Sequence, residues 1–495
     1  MKEPDSTAVT PSGAETAETY DVVVIGGGPV GINAADRAHA EGLSVALVER
    51  ELVGGECNFW GCVPSKSLLR PVLAVADARR VDGAREAVVG AIDSKGVFAR
   101  RDRYVTNWDD TPVAEAVATM GPRLVRGHAT LDGARKVCVS TDEHNVLTLN
   151  ARHAVVICTG STAALPHLPG LAEIEPWTNR RATDSSTVPD RLAVVGGGGV
   201  GVEMATAWRG LGANVTLLAR TDTLLPRMEP FVGEHVRLGL AEAGVDVRTG
   251  VSVTAVHRPR PNGPVQVSLD SGEQIEVDQI LFATGRTPNT THIGLETVGL
   301  PPGTWLEVDD TCSVRGVEGQ WLYALGDVNH RALLTHQGKY QARIAGAVIG
   351  ARACGRTVDT APWSAHAATA NNLAVPQAFF TNPEAGSVGL TADQARRRGH
   401  RIHIVDVDMG TVPGANFYAD GYRGAARIVV DDDHRYLLGV TMVGPGVVEM
   451  LHAATIAVAG QVPIERLWHA VPCFPTVSEV WLKLLEGYRD RHATD

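Results

Sequence analysis

Cysteine is sparse in this sequence: seven residues in 495, mostly far apart. That excludes a small secreted scaffold stapled by disulfides. Long apolar runs are missing too. No stretch approaches the 18 or so apolar residues that a membrane span needs. No apolar segment follows Lys2, so a secretory signal is not expected and the reading places the chain in the cytoplasm. Positive charge is in deficit, 45 Lys and Arg against 56 Asp and Glu, a net charge of −11. Such a balance argues against a nucleic-acid or anionic-membrane partner. The 17 histidines fall into no H-E-x-x-H or related ligand spacing, and no metal site is proposed.

What is present is an ordinary globular balance, 44% apolar and 20% charged, with length for about three domains. Residues 1–19 are rich in Thr, Ala, Ser, Glu and Pro and read as a disordered tail. Beyond it there is no low-complexity segment. Glycine is abundant, 53 residues, and much of it clusters in two segments of one pattern, Tyr20–Arg50 and Arg191–Arg220. Each has a short apolar run, a glycine cluster, a helical stretch and a second apolar run. That is a β-turn-α-β unit, and two of them imply two dinucleotide sites.

In the first, Val22–Ile25 runs into Gly26-Gly27-Gly28-Pro29-Val30-Gly31. Gly26 permits the tight turn, Gly28 lets the backbone approach a pyrophosphate, and Gly31 lets helix and strand pack closely. The amides at the helix start face the phosphates. The next strand ends in Glu49, a carboxylate placed to accept from ribose hydroxyls. In the second, Leu192–Val195 precedes Gly196-Gly197-Gly198-Gly199-Val200-Gly201, and Glu203 follows. Here the second strand ends in Ala219 and Arg220 in place of an acid, with Arg227 beyond. A carboxylate would repel a 2′-phosphate, whereas an arginine pairs with it, so NADPH is expected over NADH.

The segment Gly54-Gly55-Glu56-Cys57-Asn58-Phe59-Trp60-Gly61-Cys62-Val63-Pro64-Ser65-Lys66 carries the sharpest signal. Five steps of an ideal helix rotate by about 140°, which would splay the two sulfurs. A disulfide needs Cα atoms within about 7 Å, so a bond here requires a bent backbone, which Gly61 and Pro64 suit. A cysteine at a helix start has its thiolate favoured by the helix dipole. A redox dithiol is the favoured reading. Zinc ligation and unpaired structural thiols are the alternatives, and no second Cys/His pair with ligand spacing supports zinc. Cys138, Cys158, Cys312 and Cys354 have no partner at motif spacing and read as structural.

On these motifs the chain resembles the pyridine nucleotide–disulfide oxidoreductases, the family of dihydrolipoamide dehydrogenase, glutathione reductase and mercuric reductase. Further segments carry the likeness: Val155–Ser161 with Thr159 and Gly160, Ala283–Asn289 with Gly285 and Arg286, Tyr323–Asp327, and Phe380–Thr391. The resemblance implies an α/β fold with two Rossmann-like dinucleotide-binding domains, for FAD and NAD(P), plus a C-terminal α+β dimerisation domain. It divides the chain into FAD-binding parts at 20–160 and 288–364, an NAD(P)H-binding domain at 161–287 and a dimerisation domain at 365–495. It implies FAD held by Gly26, Gly28, Gly31, Glu49, Gly55, Lys66, Gly127-His128-Ala129, Thr159, Gly160, Asp327 and Leu334-Thr335-His336. NADPH would meet Gly196, Gly198, Gly201, Glu203, Arg220, Arg227, Gly285 and Arg286. Cys62 would be the thiol in charge transfer with the flavin, Cys57 the interchange thiol, and Lys66 would lie near flavin N5, paired with Glu203. Members are homodimers in which each C-terminal domain completes the other subunit's site.

The pattern breaks at one place. The family's disulfide reductases end in H-P-T-x-S-E, where the histidine is a general acid/base oriented by the glutamate. This chain reads Phe474-Pro475-Thr476-Val477-Ser478-Glu479. Phenylalanine carries no proton, and general acid–base help is worth roughly 10²–10⁴-fold, so poor turnover of lipoamide or glutathione disulfide is expected. His469 and Cys473 lie close by. They read as a surface histidine and a buried structural cysteine, with a substitute role as the alternative. Residues 491–495 hold no cysteine pair, which argues against mercury chemistry. Phe59, Trp60 and Phe474 suggest either core packing or an apolar pocket for a flat acceptor.

Three functions compete. The first passes electrons from NADPH through FAD and the Cys57–Cys62 disulfide to a small acceptor. The second is a flavin-only dehydrogenase or quinone reductase acting on an aromatic or apolar small molecule, with the cysteine pair non-essential. The third is a non-catalytic NADPH-binding redox sensor or complex partner.

Overall fold

The structure is a computed structural model and describes residues 16–141, 145–261 and 263–492. The expected tail lies outside these residues up to position 15. Its last four residues, however, open the strand Thr16–Ile25. They pair in register with the strand Val146–Ile157, Thr16 opposite Leu147 and Thr19 opposite Asn150. A neighbouring strand that satisfies their backbone groups overrides their polar composition.

The chain forms two compact units. The first takes residues up to Gly55, Asp109–Ser161 and Thr287–Ala368; the second takes Glu56–Trp108, Thr162–Arg286 and Thr369–Asp495. In the first unit, the strands Arg123–Arg126, Val45–Glu49, Thr16–Ile25, Val146–Ile157 and Leu322–Ala324 lie side by side and parallel. Val22, Val23 and Val24 are fully buried, as strands covered on both faces require. An antiparallel pair, Lys136–Ser140 and His128–Leu131, extends from the first half of Val146–Ile157. The helices Pro29–Ala40 and Thr335–Ala353 meet closely. A Cβ on Gly338 would fall 2.4 Å from Val30 Cγ2, and one on Gly346 would fall 2.6 Å from Arg37 Cβ.

The second unit holds a parallel sheet in the order Asp246–Thr249, Asn214–Ala219, Arg191–Val195 and Gln279–Phe282. A three-stranded meander, Val253–His257, Val265–Leu269 and Gln274–Val277, accompanies it. The same unit contains a five-stranded antiparallel sheet in the order Pro376–Phe379, Ala385–Gly389, Leu437–Val443, Ala425–Asp431 and Ile402–Asp408. The helices Val447–Ala459 and Val480–His492 close one core with it through Leu451, Ala454, Val480, Leu484 and Tyr488. The α/β dinucleotide folds and the α+β C-terminal sheet are thus both present. Among the described residues no helix is long and apolar enough to cross a membrane.

A buried ion pair ties the C-terminal sheet to the helix Pro230–Glu242. Glu229, 3% exposed, accepts from Ala392 N at 2.7 Å and from Arg427 Nη1 at 2.8 Å. Replacing Arg427 with Ala leaves that carboxylate buried without its cation, at a cost of roughly 3–5 kcal/mol. Arg427→Ala is therefore expected to lower the urea midpoint of the second unit. An unchanged midpoint would show the pair contributes nothing.

Candidate functional site

In open parallel sheets, ligands bind beyond the carboxyl ends of the strands. In the first unit those ends carry the expected residues. Gly26 follows Ile25 with φ +105°, and a Cβ there would fall 2.4 Å from Cys158 O. A Cβ on Gly31 would fall 1.8 Å from Gly26 O, so only glycine lets the helix Pro29–Ala40 sit against its strand. Gly28 caps that helix in extended backbone (φ −71°, ψ 179°) with no side-chain cap, leaving the first-turn amides open to an anion. Gly55 has φ +57°, and its Cβ would fall 2.8 Å from Gly28 Cα.

Glu49 is buried and braces this turn. Its Oε2 accepts from Gly27 N at 2.6 Å and its Oε1 from Glu51 N at 2.7 Å, leaving each oxygen a second lone pair. Gly127 N donates to Glu49 O at 3.0 Å, which brings the Gly127-His128-Ala129 segment beside it. Ala129 is buried, and His128 Nε2 is engaged by His292 O at 2.8 Å. Thr159 Oγ1 is buried without a hydrogen-bond partner, while Asn289 holds the backbone just after it through Thr159 O and Gly160 O. Asp327 accepts from Ser161 Oγ at 2.5 Å, and Leu334 and Thr335 open the helix Thr335–Ala353. Turn glycines at Gly26 and Gly31 that leave no room for a Cβ, open helix amides and an orphaned buried hydroxyl fit a bound dinucleotide such as FAD.

The second unit repeats the turn. A Cβ on Gly196 (φ +126°) would fall 2.3 Å from Ala283 O, and one on Gly201 would fall 1.8 Å from Gly196 O. Gly198 caps the helix Gly199–Gly210 in extended backbone, again with no side chain. Ala219 stands where the first turn has Glu49: Cβ atoms on Gly27 and Gly197 would lie 2.9 Å and 3.0 Å from the Cβ atoms of Glu49 and Ala219. No carboxylate occupies this position. Arg220 and Arg227 are exposed beside the turn and, among the described residues, form no ion pair. Gly285 has φ +145°, and a Cβ there would meet only Ala164 Cβ, at 3.8 Å. The ring of Phe379 covers the start of the helix, 2.6 Å from where a Cβ on Gly199 would be.

The cysteine segment lies in the second unit. Cys57 sits on the short helix Gly55–Phe59 and Cys62 opens the helix Cys62–Ala78. The expected bend falls at Gly61 (φ −126°, ψ −111°). A Cβ on Gly61 would fall 3.0 Å from Glu56 O and 3.2 Å from Cys57 Cα, so the chain folds back onto the first cysteine. One turn beyond Cys62, Lys66 Nζ donates to Glu203 Oε2 at 2.7 Å, and Glu203 Oε1 accepts from Phe380 N at 3.0 Å. The helices carrying this pair are nearly in backbone contact, since a Cβ on Gly210 would fall 2.3 Å from Val72 Cγ1. Cys62 and Lys66 open onto a cleft of about 670 Å³ that also meets Phe380, Glu384 and Tyr418. Burial pushes the Glu384 carboxyl above its usual range.

The aromatic residues and the remaining cysteines differ widely in exposure. Phe59 is 2% exposed and is core, with Trp108 Nε1 donating to its carbonyl at 3.2 Å. The guanidinium of Arg180 lies 4.1 Å over the Trp60 ring, so one face is taken from any flat ligand. Phe474 is 74% exposed, and among the described residues no ring contact joins it to Trp60. The Glu479 Oε2 atom is buried with no hydrogen-bond partner, as a carboxylate whose imidazole is missing would be. Cys473 is exposed, not buried; Cys354 is exposed and Cys138 half-buried. Cys158 and Cys312 are buried, and burial pushes the Cys312 thiol up to about 12. Asn179, Arg180 and Thr183, which hold the cysteine segment, carry no sequence motif and were not anticipated.

Comparison with known proteins agrees with this geometry. Residues 20–350 match the family described as pyridine nucleotide-disulphide oxidoreductase, and residues 375–485 match its dimerisation domain. A protein named dihydrolipoyl dehydrogenase 3 from Pseudomonas aeruginosa is 32% identical over 486 residues, covering 92% of this chain and 95% of that protein. A mercuric reductase from Staphylococcus aureus is 30% identical over 466 residues, covering 93% and 81%. The HOCl-induced flavoprotein disulfide reductase RclA from Escherichia coli shares the fold at a TM-score of 0.77, with 24% identity over 94% of this chain and 99% of that one. The chain belongs to the pyridine nucleotide–disulphide oxidoreductases, FAD-dependent enzymes that work with a pyridine nucleotide, and it carries their dimerisation domain.

Proposed function

We propose that the enzyme passes electrons from NADPH, by way of FAD, to a Cys57–Cys62 disulfide and from that dithiol to a small-molecule acceptor. One observation carries this reading: Cys57 and Cys62 stand on two helices joined by a bend at Gly61 that folds the chain back to Cys57, with the Lys66–Glu203 pair one turn beyond. When bound, FAD supplies two-electron exchange between nicotinamide and disulfide. Gly26, Gly28, Gly31, Glu49, Gly55, His128, Ala129, Thr159, Gly160, Asp327, Leu334 and Thr335 would hold it. Reduction breaks the bond between Cys57 Sγ and Cys62 Sγ and delivers two electrons and two protons. Cys57 then presents its thiol to the acceptor, and the disulfide forms again as the acceptor is reduced. Glu203 fixes the Lys66 ammonium at the helix start. The dimerisation domain supports a homodimer, and a cycling dithiol suits the cytoplasm, where disulfides are transient and catalytic.

Anaerobic NADPH followed by iodoacetamide is expected to alkylate Cys57 and Cys62 together, and Cys57→Ser is expected to abolish acceptor turnover. Undiminished turnover in Cys57→Ser would favour flavin-only chemistry instead.

The nucleotide preference rests on Ala219 where the first turn has Glu49, and on two exposed arginines beside that turn. Gly196, Gly198, Gly201, Gly285 and Arg286 would receive the rest of NADPH. A charge-assisted hydrogen bond is worth roughly 1.5–3 kcal/mol. Arg220→Ala and Arg227→Ala are each expected to raise KM for NADPH about tenfold or more and leave KM for NADH unchanged. Equal effects on both coenzymes would refute the preference.

The acceptor is not efficiently lipoamide or glutathione disulfide in this reading, because Phe474 brings no proton to a leaving thiolate. Phe474→His would give the buried Glu479 oxygen a partner and the dimer an acid/base. Turnover of these disulfides is then expected to rise by roughly 10²–10⁴-fold; no rise would count against this account.

A further inference from the structure

A short helix followed by a long one does not by itself keep two cysteines together. Beyond the turn's own bonds, Trp60 N to Glu56 O at 2.8 Å and Ser65 N to Gly61 O at 3.1 Å, the carbonyl before Gly61 is held from another helix. That carbonyl, of Trp60, accepts from Asn179 Nδ2 at 3.0 Å and from Thr183 Oγ1 at 3.2 Å. The same Asn179 Nδ2 donates to Glu56 Oε1 at 2.7 Å, on the residue before Cys57. One amide nitrogen therefore spans both ends of the redox turn. Arg180 secures the same two residues: its Nε donates to Glu56 Oε2 at 2.9 Å, and its guanidinium lies 4.1 Å over the Trp60 ring. A second cation, Arg286, stands 3.7 Å from Glu56 Oε1. The helix that supplies these groups, Asn179–Asp184, is itself fixed by Arg101. That guanidinium is 1% exposed and donates to Thr183 O at 2.6 Å and to Ser185 O at 2.9 Å.

We propose that Asn179 is a positioning residue for the Cys57–Cys62 disulfide, its amide closing the Trp60–Gly61 bend with the aid of Thr183 and Arg180. This rests on the redox reading of the pair. Holding two thiols in bonding geometry raises the effective concentration of each at the other and so favours the disulfide over the dithiol. Without the amide, Trp60 O keeps only the Thr183 hydroxyl, and Glu56 is tied to the bend through Arg180 and its own carbonyl alone. The thiols then spend time apart, and the disulfide becomes easier to reduce. A role confined to folding would lower stability and leave this equilibrium where it was.

The test is a redox titration of the purified FAD-bound enzyme against mixtures of reduced and oxidised dithiothreitol. Each reduction breaks one Cys57–Cys62 bond and takes two electrons and two protons from one dithiothreitol, which closes its own ring. Thiols are trapped by alkylation and counted at each cysteine by mass spectrometry. Asn179→Ala is expected to shift the equilibrium about tenfold toward the dithiol, which for two electrons is about 30 mV higher in potential. Asn179→Asp keeps the size, loses both donated bonds and is expected to shift it at least as far. Thr183→Val, which keeps the side-chain volume, is expected to shift it less and in the same direction, and it carries the test if the Asn179 variants do not fold. An unchanged equilibrium in the folded variants overturns the clamp. A wild-type enzyme that forms no Cys57–Cys62 disulfide at any mixture overturns the redox reading itself.

Discussion

Two backbone carbonyls govern the architecture. Gly26 O and Gly196 O each stand 1.8 Å from where a Cβ would be on the fifth residue onward, Gly31 and Gly201. Because neither residue has a Cβ, a helix can begin almost on top of the strand before it. Its open amides then face the space beyond the sheet. The same contacts recur around both turns. Gly26 N and Gly196 N donate to the neighbouring strands at Val48 O and Leu218 O, and Cys158 N and Ala283 N donate back to Ile25 O and Val195 O. The turns differ where their ligands would differ. Glu49 closes the first, whereas Ala219 leaves the second without a negative charge.

The sulfur chemistry depends on a second close approach, that of Gly61 to Cys57. A continuous helix would carry Cys62 round to another face; the break at Gly61 returns it. The break also makes Cys62 the first residue of a long helix, where the dipole favours a thiolate. The Lys66–Glu203 pair then joins this helix to the one that starts at the second glycine turn, so one ion pair links the redox segment to the nucleotide segment within the second unit. Against this the C-terminal segment is incomplete. Glu479 keeps a buried oxygen without a hydrogen-bond partner, and Phe474 stands where the proposed acid/base would be.

Much of this was legible in the chain. The glycine turns, the cysteine segment and the bend at Gly61 all follow from local residue chemistry. The C-terminal sheet was legible only as part of an α+β domain that the family resemblance implies. Its strand Leu437–Val443 is buried along its whole length, and a continuous apolar run shows no alternation to mark it as strand. The opening of the first strand at Thr16 was hidden for the opposite reason: its residues are polar, and only a partner strand makes them extended.

The sequence by itself determined the two dinucleotide turns, the close spacing of Cys57 and Cys62 and the phenylalanine before Pro475. Each depends on residues adjacent in the chain, or on one residue type at one position. Only the tertiary structure decided what surrounds them. Trp60 came to lie under Arg180, Phe59 in the core, Phe379 over Gly199, and Asn179 across the cysteine turn. Those partners are separated by long stretches of chain, and hydrogen bonds and ring contacts of that kind leave no periodic trace, because they are set by packing and not by spacing.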